Sequence, residues 1–367
     1  MKILYCISNN GHGSGGHFHS LNQISSMVSK SNNVKIISIG SNPSPVIQNN
    51  AHFFKHVFLS ALHDLISFRR EIQNVISEFN PDVIHFFDTE SLNYLLLVAS
   101  LKKYKVVMNK CGGPSPLRKN WQVVDDLILF SKENYDFFAK NEHKDMALHL
   151  IPNRVSKVSK ENYLGHPETK SKENYTFMRV SRLGGAYEKT FLDTLNLIEY
   201  LSAKYKVELI VVGRIQDQQR FNDLKVNAET RNIQVTYITD ERASIGASFL
   251  YLADFVVGTG RSLMEGLSIG KPCLVPAKNS DVPILLTENN FEGLFSTNFS
   301  ERGKVSEEVL LSNLSEIHKL MENIEVQSEF SSRSSTQFDA LFNIENVADL
   351  YAKVYSKEKT KRSSSLR

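Results

Sequence analysis

The sequence has little cysteine and a single tryptophan. Its three cysteines, Cys6, Cys111 and Cys273, lie far apart along the 367 residues. An odd number of cysteines at such separations provides neither a disulfide framework nor a zinc-binding spacing. No CxxC or HExxH motif occurs either. We therefore expect a protein of a reducing compartment that carries no metal and no bound cofactor.

Long apolar runs are also missing. The longest, residues 94–101, falls well short of the roughly 20 apolar residues that span a bilayer. The first ten residues, MKILYCISNN, lack the apolar core and cleavage site of a signal peptide. These two features favour a cytoplasmic protein.

The sequence also has little net charge. The chain has 43 Lys and Arg against 40 Asp and Glu, a formal net charge of +3. This balance argues against nucleic acid as the main partner. Basic residues are denser near residue 367, and residues 359–367 predict a flexible basic tail. Peripheral contact of this tail with an anionic membrane, at its inner face, is a secondary hypothesis.

Short β-branched runs alternate with amphipathic stretches along most of the chain. This alternation predicts an α/β protein with parallel sheets covered by helices on both faces. A polar segment between residues 154 and 173 interrupts it once. Because the chain is too long for one comfortable core, we predict two Rossmann-like domains, residues 1–157 and 174–340. Open α/β sheets bind ligands at the carboxyl ends of their strands, so two sheets facing each other predict a ligand cleft.

One stretch of the first domain is ambiguous. Residues 53–65, FFKHVFLSALHDL, combine apolar and basic side chains. They fit a helix that turns an apolar face to the domain core, and this is the favoured interpretation. A segment lying on a membrane surface is the alternative.

The strongest site signal is the segment 253–275, ADFVVGTGRSLMEGLSIGKPCLV. An apolar strand runs into Gly258 and Gly260, and a helix begins near Ser262. Glycine lets the backbone approach a ligand closely, and the first amides of a helix attract anions. Such a turn suits a diphosphate, with Glu265 one turn along the helix and in reach of a ribose. A plain glycine turn with a solvent-facing glutamate fits about equally well on geometry alone.

A second signal lies in residues 178–190, MRVSRLGGAYEKT. A predicted strand ends at Ser181 and Arg182, a glycine-containing loop follows, and Lys189 begins a helix. Two cations at the carboxyl end of a strand can neutralise a leaving diphosphate without a metal. Taken alone, the segment favours an ordinary surface arginine and lysine over a phosphate site.

Weaker signals occur in the first domain. The loop NNGHGSGG, residues 9–16, follows the first strand, but it is neither a Walker A motif nor a GxGxxG fingerprint. His85 ends the segment NPDVIH, where a histidine that caps a buried strand is nearly as plausible as a site residue. Lys110 lies in NKCGGPSP at the end of another strand.

Taken in their order along the chain, the segments resemble the motifs of retaining GT-B glycosyltransferases of the family-4 group. Glu265-Gly266 and Gly270-Lys271-Pro272 match the family's strand–loop–helix signature, and LIPNRV at residues 150–155 matches the segment before its interdomain linker. The resemblance extends from residue 3 to about residue 355. It implies a last helix, residues 342–358, that packs back on the first domain.

The resemblance also implies roles for particular residues. Those implied to bind the nucleotide-sugar donor are Gly15, Gly16, Gly260, Arg261, Ser262 and Glu265. Those implied to act in catalysis are Arg182, Lys189 and His85. Lys110 and Asn9 are implied to contact the acceptor or the phosphates.

Two features refine this expectation. Many family members have a glutamate that contacts the donor sugar where this chain has Val257, so the resemblance does not extend to that contact. No Asp-x-Asp metal-binding pair occurs, so we expect a metal-independent enzyme. The predicted function is hexosyl transfer from a nucleotide-diphosphate sugar to a glycan or lipid-linked glycan acceptor, in surface polysaccharide biosynthesis such as that of lipopolysaccharide or capsule.

Two alternatives remain. One is a nucleotide-sugar epimerase of the same fold, which needs carboxylates for proton transfer, and the sequence shows no clear set. The other is a catalytically degenerate subunit that only binds a partner, for which Val257 is the best support. The base, the sugar, the acceptor, the linkage and the oligomeric state are not determined by the sequence.

Overall fold

The computed structural model describes residues 1–113, 119–141, 146–163 and 174–356. It divides into two compact units, Met1–Arg154 with Ile344–Arg367 (unit 1) and Val155–Asn343 (unit 2). The predicted basic tail and residues 164–173 of the polar segment lie outside the described residues. Within the described part, no helix is long and apolar enough to cross a membrane.

Unit 1 contains a seven-stranded parallel sheet with the strand order 3-2-1-4-5-6-7. Its strands are β1 (Lys2–Ser8), β2 (Asn33–Gly40), β3 (Phe53–Phe58), β4 (Val83–Phe86), β5 (Lys105–Lys110), β6 (Asp126–Leu129) and β7 (Ala147–Leu150). The helices between them are α1 (Gly16–Val28), α2 (Pro45–Gln48), α3 (Leu65–Phe79), α4 (Thr89–Val98) and α5 (Lys132–Lys140), with 3-10 turns at Leu62–Asp64 and Lys119–Val123.

Local sequence explains several of these boundaries. The central strand β1 is buried from Ile3 to Ser8, as expected of a parallel strand covered on both faces. The side chain of Asp88 accepts the Ser91 amide and thereby begins α4. Asn80 ends α3 in the left-handed region, at φ 48°, directly before Pro81.

The structure corrects the interpretation of residues 53–65. The first part is the strand β3, paired in parallel with β2 at the edge of the sheet, and not a helix on the core or on a membrane surface. Aromatic and β-branched residues dominate FFKHVF, and such side chains favour a pleated strand. Val57 packs in the core, whereas Lys55 and Phe58 are exposed.

Unit 2 contains a six-stranded sheet with the strand order 10-9-8-11-12-13. Its strands are β8 (Tyr175–Val180), β9 (Val207–Val212), β10 (Val235–Ile238), β11 (Phe255–Val257), β12 (Cys273–Val275) and β13 (Ile284–Leu285). Its helices are α6 (Glu188–Ser202), α7 (Gln218–Thr230), α8 (Arg261–Leu267), α9 (Glu288–Ser296), α10 (Glu307–Glu322) and α11 (Ile324–Leu341), with 3-10 segments at Lys160–Tyr163, Gly185–Tyr187 and Glu241–Leu252. All strand pairs are parallel except β12 with β13, which is antiparallel.

The last helix, α12 (Val347–Ser356), follows a 3-10 turn at Ile344–Asn346 and lies in unit 1. Its buried residues Val347, Tyr351, Val354 and Tyr355 join the apolar cluster between α1 and the sheet. In each unit the sheet carries one apolar cluster on either face. The expected α/β class with two mostly parallel sheets is therefore confirmed.

Candidate functional site

The two strongest sequence signals lie side by side in unit 2. Strands β8 and β11 are neighbours, with Arg179 opposite Val257, so the loops that follow them leave the same edge of the sheet next to each other. This edge holds the carboxyl ends of the parallel strands, where open α/β sheets bind ligands. The loops that carry the two sets of predicted residues therefore begin at neighbouring strand ends.

The loop after β11 has a backbone that demands glycine. Gly260 has φ 52° and ψ −117°, a conformation that other residues rarely adopt. At Gly258 a β-carbon would lie 2.5 Å from the Ser262 hydroxyl oxygen. The tight turn that begins α8 therefore requires glycine at 260, whereas a β-carbon at 258 would displace the side chain of Ser262, which lies buried in the first turn of that helix.

Glu265 forms an ion pair with Arg261 one turn earlier on α8, with 2.8 Å between Oε1 and Nε. Burial raises the pKa of the Glu265 carboxyl, and the Arg261 guanidinium opposes this shift. The Nη1 atom of Arg261 is buried and has no hydrogen-bond partner within the described part of the chain. A charged pair with one unused donor leaves hydrogen-bonding capacity for a ligand.

Arg182 is exposed and directed by an aromatic neighbour. Its Nη2 atom donates to the hydroxyl of Tyr187 at 2.8 Å, and its guanidinium carbon lies 4.9 Å from the centre of the Tyr187 ring. The cation is therefore held in one orientation while remaining accessible.

Lys189 lies in the first turn of α6 and forms an ion pair with Asp193, at 2.8 Å between Nζ and Oδ2. Its Nζ atom is also 3.5 Å from the carbonyl oxygen of Ser280, in the loop after β12. Burial raises the pKa of Asp193, whereas the hydrogen bond and charge of Lys189 lower it. The lysine side chain is 57% exposed, so it is free to exchange its carboxylate partner for an anionic ligand.

In unit 1, the loop after β1 is fixed by its own contacts. Asn9 is 4% exposed. Its Nδ2 donates to the Asn42 carbonyl at 3.0 Å, and its Oδ1 accepts the Gly11 amide at 3.1 Å. Gly15 is the N-cap residue of α1 and Gly16 is its first residue, and no side chain caps this end of the helix within the described part of the chain. Asn9 thus orders this loop, and its contact with the acceptor or the phosphates stays a prediction.

His85 does not lie at an open surface. It is fully buried in β4. Its Nδ1 is 2.8 Å from the Tyr355 hydroxyl and its Nε2 is 2.7 Å from Oδ1 of Asn109. Burial lowers the pKa of the imidazole to about 3. This placement does not support the predicted contact with a transferred sugar, because both ring nitrogens are used and α12 covers the side chain.

Lys110, at the end of β5, is 9% exposed. Its Nζ donates to the Gly112 carbonyl at 2.7 Å and lies 3.4 Å from that of Gly113. The lysine therefore caps the loop that follows it. Residues 114–118 of that loop lie outside the described residues.

The structure also brings together a polar group that sequence reasoning missed. At the carboxyl ends of β1 and β4, the Ser8 hydroxyl donates to Asp88 at 2.8 Å and lies 3.1 Å from Glu90. Asn10 donates to the Tyr94 hydroxyl at 3.0 Å and contacts Glu90 at 3.5 Å. The two carboxylates are only two positions apart, but no motif marked them. Within the described ranges, no group of three or more His, Cys, Asp or Glu is arranged to hold a metal ion.

Comparisons with known proteins agree with this architecture. A family model described as glycosyl transferase 4-like matches residues 2–114. A glycosyltransferase from Rickettsia africae superimposes with a TM-score of 0.69 over 99% of both chains, at 12% identity. HepE from Anabaena, solved with UDP and glucose, gives 0.66 over 97% of this chain and 99% of its own, at 15% identity. The chain has the GT-B fold of the glycosyltransferases.

The resemblance seen in the motifs is thus confirmed at the level of the fold. A UDP-GlcNAc 2-epimerase from Neisseria meningitidis also superimposes, with a TM-score of 0.60 over 98% of this chain and 100% of its own, at 10% identity. No curated protein matches the sequence. A GT-B fold shared by transferases and epimerases leaves the reaction to be argued from the site itself.

Proposed function

We propose that this GT-B protein is a retaining, metal-independent glycosyltransferase that moves a sugar from a nucleotide-diphosphate sugar to a glycan or lipid-linked glycan. The observation that carries the proposal is the adjacency of the two loops in unit 2. Arg182 and Lys189 follow β8, and the glycine turn with Arg261 and Glu265 follows the neighbouring strand β11. Together they make a cationic, backbone-accessible site for a diphosphate.

Each group has a distinct role in the proposal. The Gly260 turn lets the diphosphate approach the first amides of α8, including that of Ser262. Arg182 and Lys189 offset the negative charge that develops as the nucleoside diphosphate leaves. Glu265 orients the ribose of the same nucleotide, and its pair with Arg261 opposes the rise in the carboxyl pKa that burial causes.

The arrangement of Lys189 supports this role. In the structure its ammonium group pairs with Asp193, which is 4% exposed. A donor diphosphate carries more negative charge than one carboxylate, so we expect the exposed ammonium to move toward the phosphates. Two protein cations at the leaving group supply the stabilisation that a divalent metal provides in other transferases.

A thermal-shift screen of UDP-, GDP- and ADP-sugars tests the nucleotide site. A ligand at a hundred times its dissociation constant stabilises the protein by about 2.7 kcal/mol. The donor found in this way is then incubated with glycan and lipid-linked acceptors, and the product is analysed by mass spectrometry. If no nucleotide sugar or free nucleoside diphosphate binds at millimolar concentration, the proposal fails in favour of a partner-binding subunit.

An epimerase is the second candidate, supported by Asp88 and Glu90 at the carboxyl edge of the unit 1 sheet. Such carboxylates are groups that exchange protons with a sugar carbon. The discriminating experiment incubates the donor alone in D₂O and follows it by NMR. Epimerised, deuterated donor without any acceptor would replace the transferase proposal, whereas unchanged donor supports transfer.

A further inference from the structure

A fully buried arginine lies beneath the candidate diphosphate site. Arg179, on β8, is 1% exposed. Its Nε donates to the Ser181 hydroxyl at 3.0 Å, and its Nη1 donates to the Thr190 carbonyl at 2.8 Å and the Thr194 hydroxyl at 3.1 Å. Its Nη2 donates to the Thr190 hydroxyl. One guanidinium therefore ties the end of β8 to the first two turns of α6.

Burial of this cation is costly. The hydrogen bonds of Arg179 go to hydroxyl and carbonyl oxygens rather than to a carboxylate. Burial lowers its pKa to about 10, and the charge of Asp193 opposes that shift. An apolar side chain of similar length would fill the same volume without the desolvation penalty. The guanidinium therefore contributes more than packing, namely the hydrogen bonds that link β8 to α6.

The contacts of Arg179 lead to both cations of the site. The Thr190 hydroxyl that it holds donates in turn to the Tyr187 carbonyl at 3.0 Å, and Tyr187 orients Arg182 through its hydroxyl and ring. Lys189 is the residue next to Thr190, and its partner Asp193 lies on the same turn of α6. Both cations thus stand on backbone that one buried side chain fixes.

We propose that Arg179 is a positioning residue, which holds the loop between β8 and α6 in the conformation that directs Arg182 and Lys189 at the donor diphosphate. This inference rests on the proposed function. It assigns the residue no contact with substrate. It predicts that loss of the guanidinium weakens the binding of phosphates and leaves the rest of the nucleotide site unchanged.

The test compares Arg179→Met with Phe177→Leu, a control on the same strand whose ring stacks on Phe255. UDP, GDP and ADP are titrated into the wild-type protein by calorimetry, and the tightest is the probe, together with its nucleoside. We expect Arg179→Met to weaken diphosphate binding about tenfold or more, with nucleoside affinity unchanged within about twofold. Phe177→Leu should lower the melting temperature but change neither affinity.

Further variants make the test independent of stability. Arg179→Lys keeps the charge, but an ammonium group cannot span Ser181 and Thr190 together, so we expect no rescue of diphosphate binding. Thr190→Val breaks the same chain of bonds in case Arg179→Met does not fold. In the double variant with Lys189→Ala, the loss should be smaller than the product of the two single losses.

The outcomes separate the inference from the function. Wild-type protein that binds no nucleoside diphosphate overturns the proposed function and this inference with it. If the wild type binds the diphosphate and Arg179→Met, Arg179→Lys or Thr190→Val binds it with the same affinity, the inference alone is overturned. Equal loss of diphosphate and nucleoside affinity also overturns it, since that pattern indicates general damage to unit 2.

Discussion

Lys189 and Lys319 of unit 2 are both exposed lysines that form an ion pair within their own helix. Each pairs with an acidic residue one turn away, and their side chains are 57% and 65% exposed. The Lys319 pair is exposed on both sides and contributes little to stability, whereas the Asp193 carboxylate that pairs with Lys189 is buried. Lys189 follows the loop after β8, at the carboxyl edge of the unit 2 sheet, whereas Lys319 lies in the last turn of α10. Lys319 therefore provides an exposed, ion-paired control outside the candidate site.

We predict that Lys189→Ala lowers kcat/KM with the donor by about tenfold to a hundredfold, because it removes a cation from the leaving diphosphate. Lys319→Ala should leave kcat/KM unchanged and melt close to the wild type, whereas Lys189→Ala should melt at a somewhat lower temperature, because the buried Asp193 carboxylate loses its ion-pair partner. Steady-state kinetics and a thermal melt provide the measurement. Wild-type kinetics in Lys189→Ala would remove this residue from the site.

His85 gives a prediction about stability rather than catalysis. In the folded protein its pKa is lowered to about 3 by burial, whereas in an unfolded chain it is near 6.5. As the pH falls below about 6.5, His85 therefore takes up a proton in the unfolded state but stays neutral in the native state. The contribution of neutral His85 is fully present above that pH and is lost progressively toward pH 3.

His85→Gln should remove this part of the pH dependence. Between about pH 8 and pH 5 we expect the wild type to lose up to about 2 kcal/mol more unfolding free energy than the variant. Urea unfolding measures the loss through the fluorescence of Trp121, the single tryptophan of the chain, which is buried in unit 1. Equal losses in both proteins would show that His85 protonates in the folded state.

Among the elements, the turn between β11 and α8 depends most on backbone conformation. A β-carbon at Gly260 would meet no atom closer than 3.6 Å, so space is available. The restriction lies in φ 52° and ψ −117°, which cost other residues about 1–3 kcal/mol. Gly293, within α9, is exposed and a β-carbon there would meet only the Lys304 carbonyl, at 4.0 Å.

Gly260→Ala should therefore destabilise the protein by about 1–3 kcal/mol and weaken diphosphate binding, since α8 can no longer begin in the same way. Gly293→Ala should stabilise it by about 0.5–1 kcal/mol and leave binding unchanged. Denaturant unfolding and calorimetry measure both quantities. A Gly260→Ala variant with unaltered affinity would contradict a role for this turn in binding.

At the scale of the whole molecule, the GT-B fold is compatible with more than one reaction. Charge at the leaving group comes from Arg182 and Lys189 in the proposed mechanism, and the sequence has no Asp-x-Asp pair. The proposed mechanism therefore requires no divalent cation. Because the enzyme is proposed to be retaining, the product should also keep the anomeric configuration of the donor.

We predict that EDTA leaves transfer unchanged and that added Mg²⁺ or Mn²⁺ does not raise it by more than about twofold. The anomeric configuration of the product should match that of the donor, as proton NMR of the early product shows. A loss of activity with EDTA that Mg²⁺ restores would contradict metal independence, and an inverted anomer would contradict retention. Either result leaves the GT-B fold itself unaffected.

The sequence alone determined the features that are encoded locally. Alternating strand and helix patterns predicted the α/β class and two mostly parallel sheets, because periodicity reflects which face of each element is buried. The glycines at 258 and 260 marked the tight turn, since few other residues can adopt it. The edge strand β3 was missed, because the residue pattern of 53–65 does not show that FFKHVF pairs with the strand β2.

Only the tertiary structure decided which polar groups meet. His85 binds the hydroxyl of Tyr355, 270 positions away, and so lies in a buried network rather than at a ligand surface. Arg179 was not singled out from the sequence, because its partners on α6 depend on how the helix packs. Local sequence fixes backbone preferences within a few residues, whereas burial and partner choice arise from packing between distant segments. The role of each candidate residue therefore follows from its environment in the fold.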